Sequence, residues 1–143
     1  MSKVFVSGVY DLLHSGHIAF FEECSKYGDL YVGVGSDDAC KLYKREPIHN
    51  EEVRLYMVQS IKFVKDALIL QSTEPIMNFE YYFREHWKPD ILIVNEDSFN
   101  KEQKQALCDE LGIQFKVLKR MPHGTLPNIS TTSIIEKIKA LQN

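Results

Sequence analysis

The chain has no apolar run long enough to cross a bilayer. Its first residues, MSKVFVSG, enter an apolar stretch directly, without the basic-then-apolar order of an export leader. Neither membrane insertion nor secretion is expected, and the expected location is cytoplasmic. Cysteine is scarce as well: Cys24, Cys40 and Cys108 are widely spaced, odd in number and form no C-x-x-C pair, which argues against a disulfide framework or a zinc knuckle. A basic excess is also missing. The formal net charge of −3 provides no general attraction to nucleic acid or to an anionic membrane, so a phosphate ligand has to be held by a local cluster of basic groups. No repeat, linker or low-complexity segment interrupts the 143 residues. That length fits a single domain, 1–143, with one substantial core.

What is present is organised around Val4 to Cys24, VFVSGVYDLLHSGHIAFFEEC. It reads as a buried strand, a turn opened by Ser7 and Gly8, and a helix carrying Gly16 and His17 in its first turn. A strand delivered into a helix N-terminus points backbone N–H groups and partial positive charge at one spot, a phosphate-binding arrangement. His14 and His17 are spaced to share a helix face and to add donors and positive charge there. Gly16 leaves room for a ligand to approach the backbone. From spacing alone, H-x-x-H also suits a pair of metal ligands, or two residues that merely cap or coat a helix end.

Strands and helices alternate through the rest of the chain. DLYVGVGS is a second strand, in which Gly33 and Gly35 speak for close packing rather than a dinucleotide loop. Ser36, Asp37 and Asp38 cap a short helix, and Lys41, Lys44 and Arg45 follow in a loop that is either a solvated basic segment or part of a site. Asn50 caps NEEVRLYMVQSIKF, with Val53, Tyr56, Met57 and Ile61 as its expected apolar stripe. Arg54 either pairs with nearby glutamates or reaches an anion. Val64–Leu70 is a third strand. The aromatic helix Glu74–Trp87 reads as core or subunit interface. ILIV, without alternation, is a fourth strand buried on both faces, ending in Asn95-Glu96-Asp97. The helix Lys101–Leu111 stops at Gly112, and IQFKVLK is the fifth strand. Arg120 and the turn-rich MPHGTLPN precede ISTTSIIEKIKALQ, where Ser133 and Glu136 are spaced as a capping box. The expected fold is a Rossmann-like α/β domain: an open, mostly parallel five-stranded sheet in the order 3-2-1-4-5, with helices on both faces. The site would lie where that order reverses, over the first and fourth strands.

Gly8-Val9-Tyr10-Asp11 followed by His14-Ser15-Gly16-His17 closely resembles the signature of the cytidylyltransferase family within the nucleotidyltransferase superfamily, in which a G-x-F/Y-D turn precedes H-x-G-H. Arg120 followed by Ile129-Ser130-Thr131-Thr132 is similar to the family's C-terminal R-T-x-G-I/V-S-T-T, and the segment carrying Lys44 and Arg54 looks like the one after the family's second strand. In motif terms the resemblance is nearest to glycerol-3-phosphate and phosphoethanolamine or phosphocholine cytidylyltransferases. It implies that His14 and His17 contact a triphosphate, that Lys44 reaches the α-phosphate region, and that Arg120, Ile129, Ser130 and Thr131 belong to the nucleotide site. Gly8, Val9, Tyr10, Asp11, Gly16, Arg54, Asn95 and Asp97 complete the candidate site, with no metal ligand assigned. The implied reaction transfers CMP from CTP to a small phosphate monoester and releases pyrophosphate, with Mg²⁺ as cofactor and a homodimer as the assembly. Two departures are visible: the Met121–Asn128 loop is longer than the family pattern, and Asn95-Glu96-Asp97 replaces G-D-D or G-x-D, with Asn95 expected to take the left-handed conformation of the glycine. Alternatives are adenylyl transfer from ATP on the same site, a non-catalytic nucleotide-binding domain, and a metal-dependent hydrolase built on the two histidines.

Overall fold

The computed structural model describes residues 2–142; Met1 and Asn143, the ends of the expected 1–143 domain, lie outside the described residues. Five strands form one sheet: β1 (Lys3–Gly8), β2 (Asp29–Gly35), β3 (Asp66–Leu70), β4 (Ile91–Asn95) and β5 (Gln114–Leu118). The order is β3-β2-β1-β4-β5 and every pairing is parallel, as the sequence predicts. Between and after the strands run α1 (Ser15–Ser25), α2 (Asp37–Tyr43), α3 (Glu51–Gln59), α4 (Pro75–Glu85), α5 (Lys101–Leu111) and α6 (Thr131–Ala140).

Alternation along the two central strands divides the core. Val4 and Val6 of β1 and Ile91 and Ile93 of β4 pack with Phe21 and Cys24 of α1 and Val58 of α3. Phe5 and Leu92 point the opposite way, into a cluster with Phe79 and Phe83 of α4 and Leu107 and Cys108 of α5. Phe5 meets both α4 rings edge-on, at centroid distances of 6.1 and 5.4 Å. Gly33 makes room for this, because a Cβ there would lie 2.8 Å from the Phe5 ring and 2.9 Å from Leu70. The aromatic helix therefore supplies core through Phe79 and Phe83, and leaves Tyr81 exposed.

Three local expectations are corrected. The inward face of α3 is not Val53, Tyr56 and Met57: Val53 and Tyr56 are exposed, and Arg54 and Val58 take the innermost positions, flanked by Leu55 and, just past the helix end, by Ile61, the member of the expected stripe that does pack on the core. The Asn50 cap sets that register, and Arg54 tolerates burial because the fold satisfies its guanidinium. The final helix starts a turn earlier than predicted, with Ser130 as N-cap in a reciprocal box with Ser133 rather than Ser133 with Glu136. Asn95 does not adopt the left-handed conformation. It accepts the Asp97 amide through its side chain at 2.8 Å, and the left-handed residue of that loop is Asn100, with φ of 56°.

Candidate active site

A pocket of about 460 Å³ opens at the C-terminal edge of β1 and β4. Strand order reverses there, so the connections leave in opposite directions and part to form a crevice. The β1–α1 turn is tightly built. Tyr10 and Leu12 both hold positive φ, 56° and 53°, a costly conformation for side chains of that size and one that recurs at functional sites. The Tyr10 ring fills the space over Gly8, where a Cβ would approach it to 2.8 Å. It also lies edge-on to His17 at 5.4 Å and to Phe21 at 5.0 Å. Burial pushes the Tyr10 phenol well up, so it serves as a platform for His17 and not as an acid or base.

His14 is the N-cap of α1: its Nδ1 accepts the Gly16 amide at 3.1 Å, while His17 Nδ1 accepts the His14 amide at 3.3 Å. Both Nδ1 atoms are therefore lone-pair acceptors, which fixes both neutral rings as Nε2–H tautomers. The rings stack at 3.8 Å with 26° between planes. Desolvation, then the neighbouring His14, Arg120 and Lys44, lowers the His17 pKa to about 3; desolvation and Arg120 lower that of His14. The pair supplies neutral donors at pH 7, which corrects the expectation that it adds positive charge. The open end of α1 is also narrower than expected, because the Gly16 amide goes to His14 Nδ1 and the His17 amide to the His14 carbonyl. Gly16 is needed for its neighbours rather than for an incoming ligand: a Cβ would lie 2.9 Å from the His14 ring and 3.0 Å from the Ile129 carbonyl.

Positive charge comes instead from Lys44 and Arg120, which line the same pocket and make no ion pair among the described residues. Desolvation, with Arg120 and Arg45 nearby, lowers the Lys44 ammonium below the ordinary lysine value. Ser130, Thr131 and Thr132 bring the N-terminus of α6 to the pocket wall. Gly8, Val9, Tyr10, Asn95 and Asp97 line it as well. Gly16 and Ile129 lie instead on a smaller recess of about 170 Å³, shared with His14 and Arg120 and walled by Met121, Pro122, Pro127 and Asn128 of the long loop. Exposed His123 of that loop lies 2.9 Å from Glu22 of α1.

Two candidates stand behind the wall. Asp11, 3% exposed, accepts from Arg45 Nη1 at 2.7 Å, the Ile48 amide at 2.7 Å and the His49 amide at 3.0 Å. Desolvation opposes its charge, but these hydrogen bonds and the Arg45 guanidinium outweigh it and hold the carboxyl below the usual aspartate value. Asp11 thus pins the 45–49 loop, while its own carbonyl accepts the Thr131 hydroxyl at 2.8 Å. Arg54, 1% exposed, donates to the carbonyls of His49, Val9 and Gly35 at 3.0, 2.8 and 2.6 Å and to Asp37 at 2.8 Å. Arg54 ties the ends of β1 and β2 to α3 and does not line the pocket.

The sequence reading passed over Lys104, which is buried and lines the pocket from α5. A signal was available: Lys104 falls on the i, i+3, i+4 face shared with Leu107 and Cys108, where an apolar residue is the ordinary choice. Among the described residues no group of three His, Cys, Asp or Glu side chains is disposed to hold a metal, and Asp97 is the carboxylate on the pocket wall.

The cytidylyltransferase-like family model matches residues 5–137. The chain is 34% identical over 140 residues to an FAD synthase of Aciduliprofundum boonei, covering 96% of this chain and 91% of the relative. It is 33% identical to an FAD synthase of Methanocella paludicola, with 97% of each covered. It is also 34% identical to the bifunctional protein HldE of Helicobacter pylori, matching 98% of this chain and 28% of that longer protein. Among solved structures, a lipopolysaccharide core biosynthesis protein of Thermoplasma volcanium superposes with a TM-score of 0.71 at 28% identity, over 87% of this chain and 99% of the other.

Proposed function

Because the chain belongs to the cytidylyltransferase-like family of nucleotidyltransferases, we propose that it moves a nucleoside monophosphate unit from a nucleoside triphosphate to a small phosphate monoester, with ATP as donor ahead of CTP. The observation that carries the reading is the cluster in the pocket: two stacked histidines held as Nε2–H donors beside Lys44 and Arg120, two cations without a carboxylate partner among the described residues. Such an inventory suits a polyphosphate and suits little else. The preference for ATP departs from the expectation of CTP. It follows from relatives named FAD synthase, since FAD is an AMP unit joined to a flavin mononucleotide.

In this mechanism an anionic oxygen of the acceptor phosphate attacks the α-phosphorus, forming a new P–O bond as the bond to pyrophosphate breaks in line. No proton has to be removed from the nucleophile, so the difficulty is bringing two anions together. His14 and His17 donate to phosphate oxygens, Lys44 offsets charge between acceptor and α-phosphate, and Arg120 with the Ser130 hydroxyl at the start of α6 holds the departing pyrophosphate, while the Thr131 hydroxyl, given to the Asp11 carbonyl, fixes that turn. The smaller recess, walled by prolines, Met121 and Ile129 next to His14 and Arg120, is assigned to the base. Mg²⁺ would be held from the protein side by Asp97, the carboxylate that lines the pocket among the described residues, and would neutralise triphosphate charge. The hydrolase alternative loses its third ligand, because Asp11 is committed to Arg45 and two amides.

Pyrophosphate release from ATP and from CTP, with Mg²⁺, against flavin mononucleotide, glycerol 3-phosphate, phosphoethanolamine, phosphocholine, sugar phosphates and phosphate monoesters that carry a second phosphate or a carboxylate tests this. Acceptor-dependent release that favours ATP is expected. Release favouring CTP overturns the choice of base and keeps the chemistry; nucleotide binding without release from any acceptor overturns the transfer itself. A homodimer is the proposed assembly, to be read from sedimentation.

A further inference from the structure

Lys104 sits where α5 would ordinarily place an apolar residue, and it is 5% exposed. Its Nζ donates to Ser98 Oγ at 2.8 Å and lies 5.7 and 5.3 Å from the ring centres of Phe79 and Phe99. Neither the hydroxyl nor the rings carry a formal negative charge, and among the described residues no carboxylate comes within ion-pair distance. An ammonium has three donors and Ser98 takes one. A buried, unpaired cation is costly, and a flexible lysine near a helix start ordinarily extends its head to solvent. Here Lys104 lines the pocket together with Ser98 and Phe99, the residues its head meets.

Its neighbours do not use the spare donors. Asn78, the other buried polar side chain at this end, accepts the Ser72 amide and donates to the Ser72 carbonyl, both at 2.9 Å. Burial alone lowers the Lys104 pKa, whereas His14, His17 and Lys44 all feel Arg120. The groups that surround Lys104, namely Ser98, Phe79 and Phe99, come from α4 and the β4–α5 loop and are distinct from Tyr10 and Arg120, the neighbours of the histidine pair.

We propose that Lys104 forms an oxyanion subsite for the acceptor, taking a carboxylate or phosphate that the acceptor carries apart from its attacking phosphate. That the ligand is the acceptor rests on the transferase reading above; the subsite itself rests on the buried ammonium with one of its three donors hydrogen-bonded. The acceptor would then be held at both ends, with the attacking phosphate at Lys44 and the second anion at Lys104.

The test follows the Lys104 side-chain resonance in intact protein labelled with ¹³C-lysine, assigned by its loss in Lys104→Arg. Its titration is recorded in chloride, in inorganic phosphate and in acetate. Phosphate or acetate, whichever matches the second anion, is expected to raise the midpoint above that in chloride, and to do so equally in Lys44→Gln. A midpoint that neither anion raises, or a response lost in Lys44→Gln, overturns the subsite. With an active acceptor in hand, Lys104→Gln is expected to raise its KM about ten- to a hundred-fold, as for one lost charge-assisted hydrogen bond. The KM for nucleotide should stay put and Lys104→Arg should recover part of the loss; an unchanged acceptor KM in Lys104→Gln overturns the proposal. Because the titration needs no turnover, a silent pyrophosphate assay beside a positive titration would sink the transferase reading and not the anion site.

Discussion

Replacing Arg54 by Met separates a structural arginine from a phosphate-binding one. Methionine keeps much of the apolar stem but leaves the Val9, Gly35 and His49 carbonyls and the Asp37 carboxylate without their donor. Removing one partner of a buried, hydrogen-bonded charge costs about 3–5 kcal/mol, a large share of the roughly 5–15 kcal/mol that holds a domain folded. For a chain of this length that corresponds to a fall in melting temperature of roughly 10 °C. The assay is thermal and urea denaturation of parent and Arg54→Met, each with and without ATP and Mg²⁺. A large loss of stability is expected, with a nucleotide-induced stabilisation still visible in the variant wherever it remains folded. An Arg54→Met protein that melts with the parent and no longer responds to nucleotide would refute the account, because it would make Arg54 a ligand contact.

Further outcomes follow from the same contacts. His17→Ala is expected to lower turnover by roughly two orders of magnitude, as for a lost transition-state donor, with secondary structure intact by circular dichroism; normal turnover would remove His17 from the chemistry. Since the folded His17 pKa lies near 3 and the unfolded one near 6.5, the unfolded chain alone takes up a proton as pH falls between those values. Stability should therefore drop by up to about 1.4 kcal/mol per pH unit from this residue between about pH 6.5 and pH 5, with His14 acting in the same direction, and urea midpoints in His17→Ala should show a shallower slope. Gly33→Ala drives a methyl into Phe5 and Leu70, so a loss of about 1–3 kcal/mol is expected in denaturation, with the KM for nucleotide unchanged. Gly16→Ala should do the reverse by displacing His14 and the Ile129 carbonyl, lowering turnover more than stability in paired kinetic and melting measurements.

The sheet order, both crossover faces and the paired histidines were readable because they rest on local regularities: apolar strands, capping residues and a turn motif of fixed spacing. What escaped the sequence was the partner of each charge. Arg54 and Asp11 look like ligand groups when listed along a chain, and only the fold reveals that carbonyls and amides from residues 9 to 49 consume them. The same blindness ran the other way for Lys104: its spacing to Leu107 and Cys108 in KEQKQALCDEL signals the inward face, but the missing carboxylate partner shows only in the fold. The protonation state of the histidines was likewise hidden, since it depends on burial and on amides that hold each Nδ1. Helix caps carried less information than they promised: four hydroxyl residues, Ser130 to Ser133, stand at the start of α6, and the geometry of the chain at Ser130 chooses among them.

The hydroxyl of Thr131 reaches across 120 positions of sequence to the carbonyl of Asp11, while none of the residues of α6 is fully buried. The last helix is thus fastened largely by its first turn, and that turn is also a wall of the pocket. Fraying of that turn would therefore open one wall of the pocket while leaving the five-stranded sheet standing, so the site can be lost without the fold.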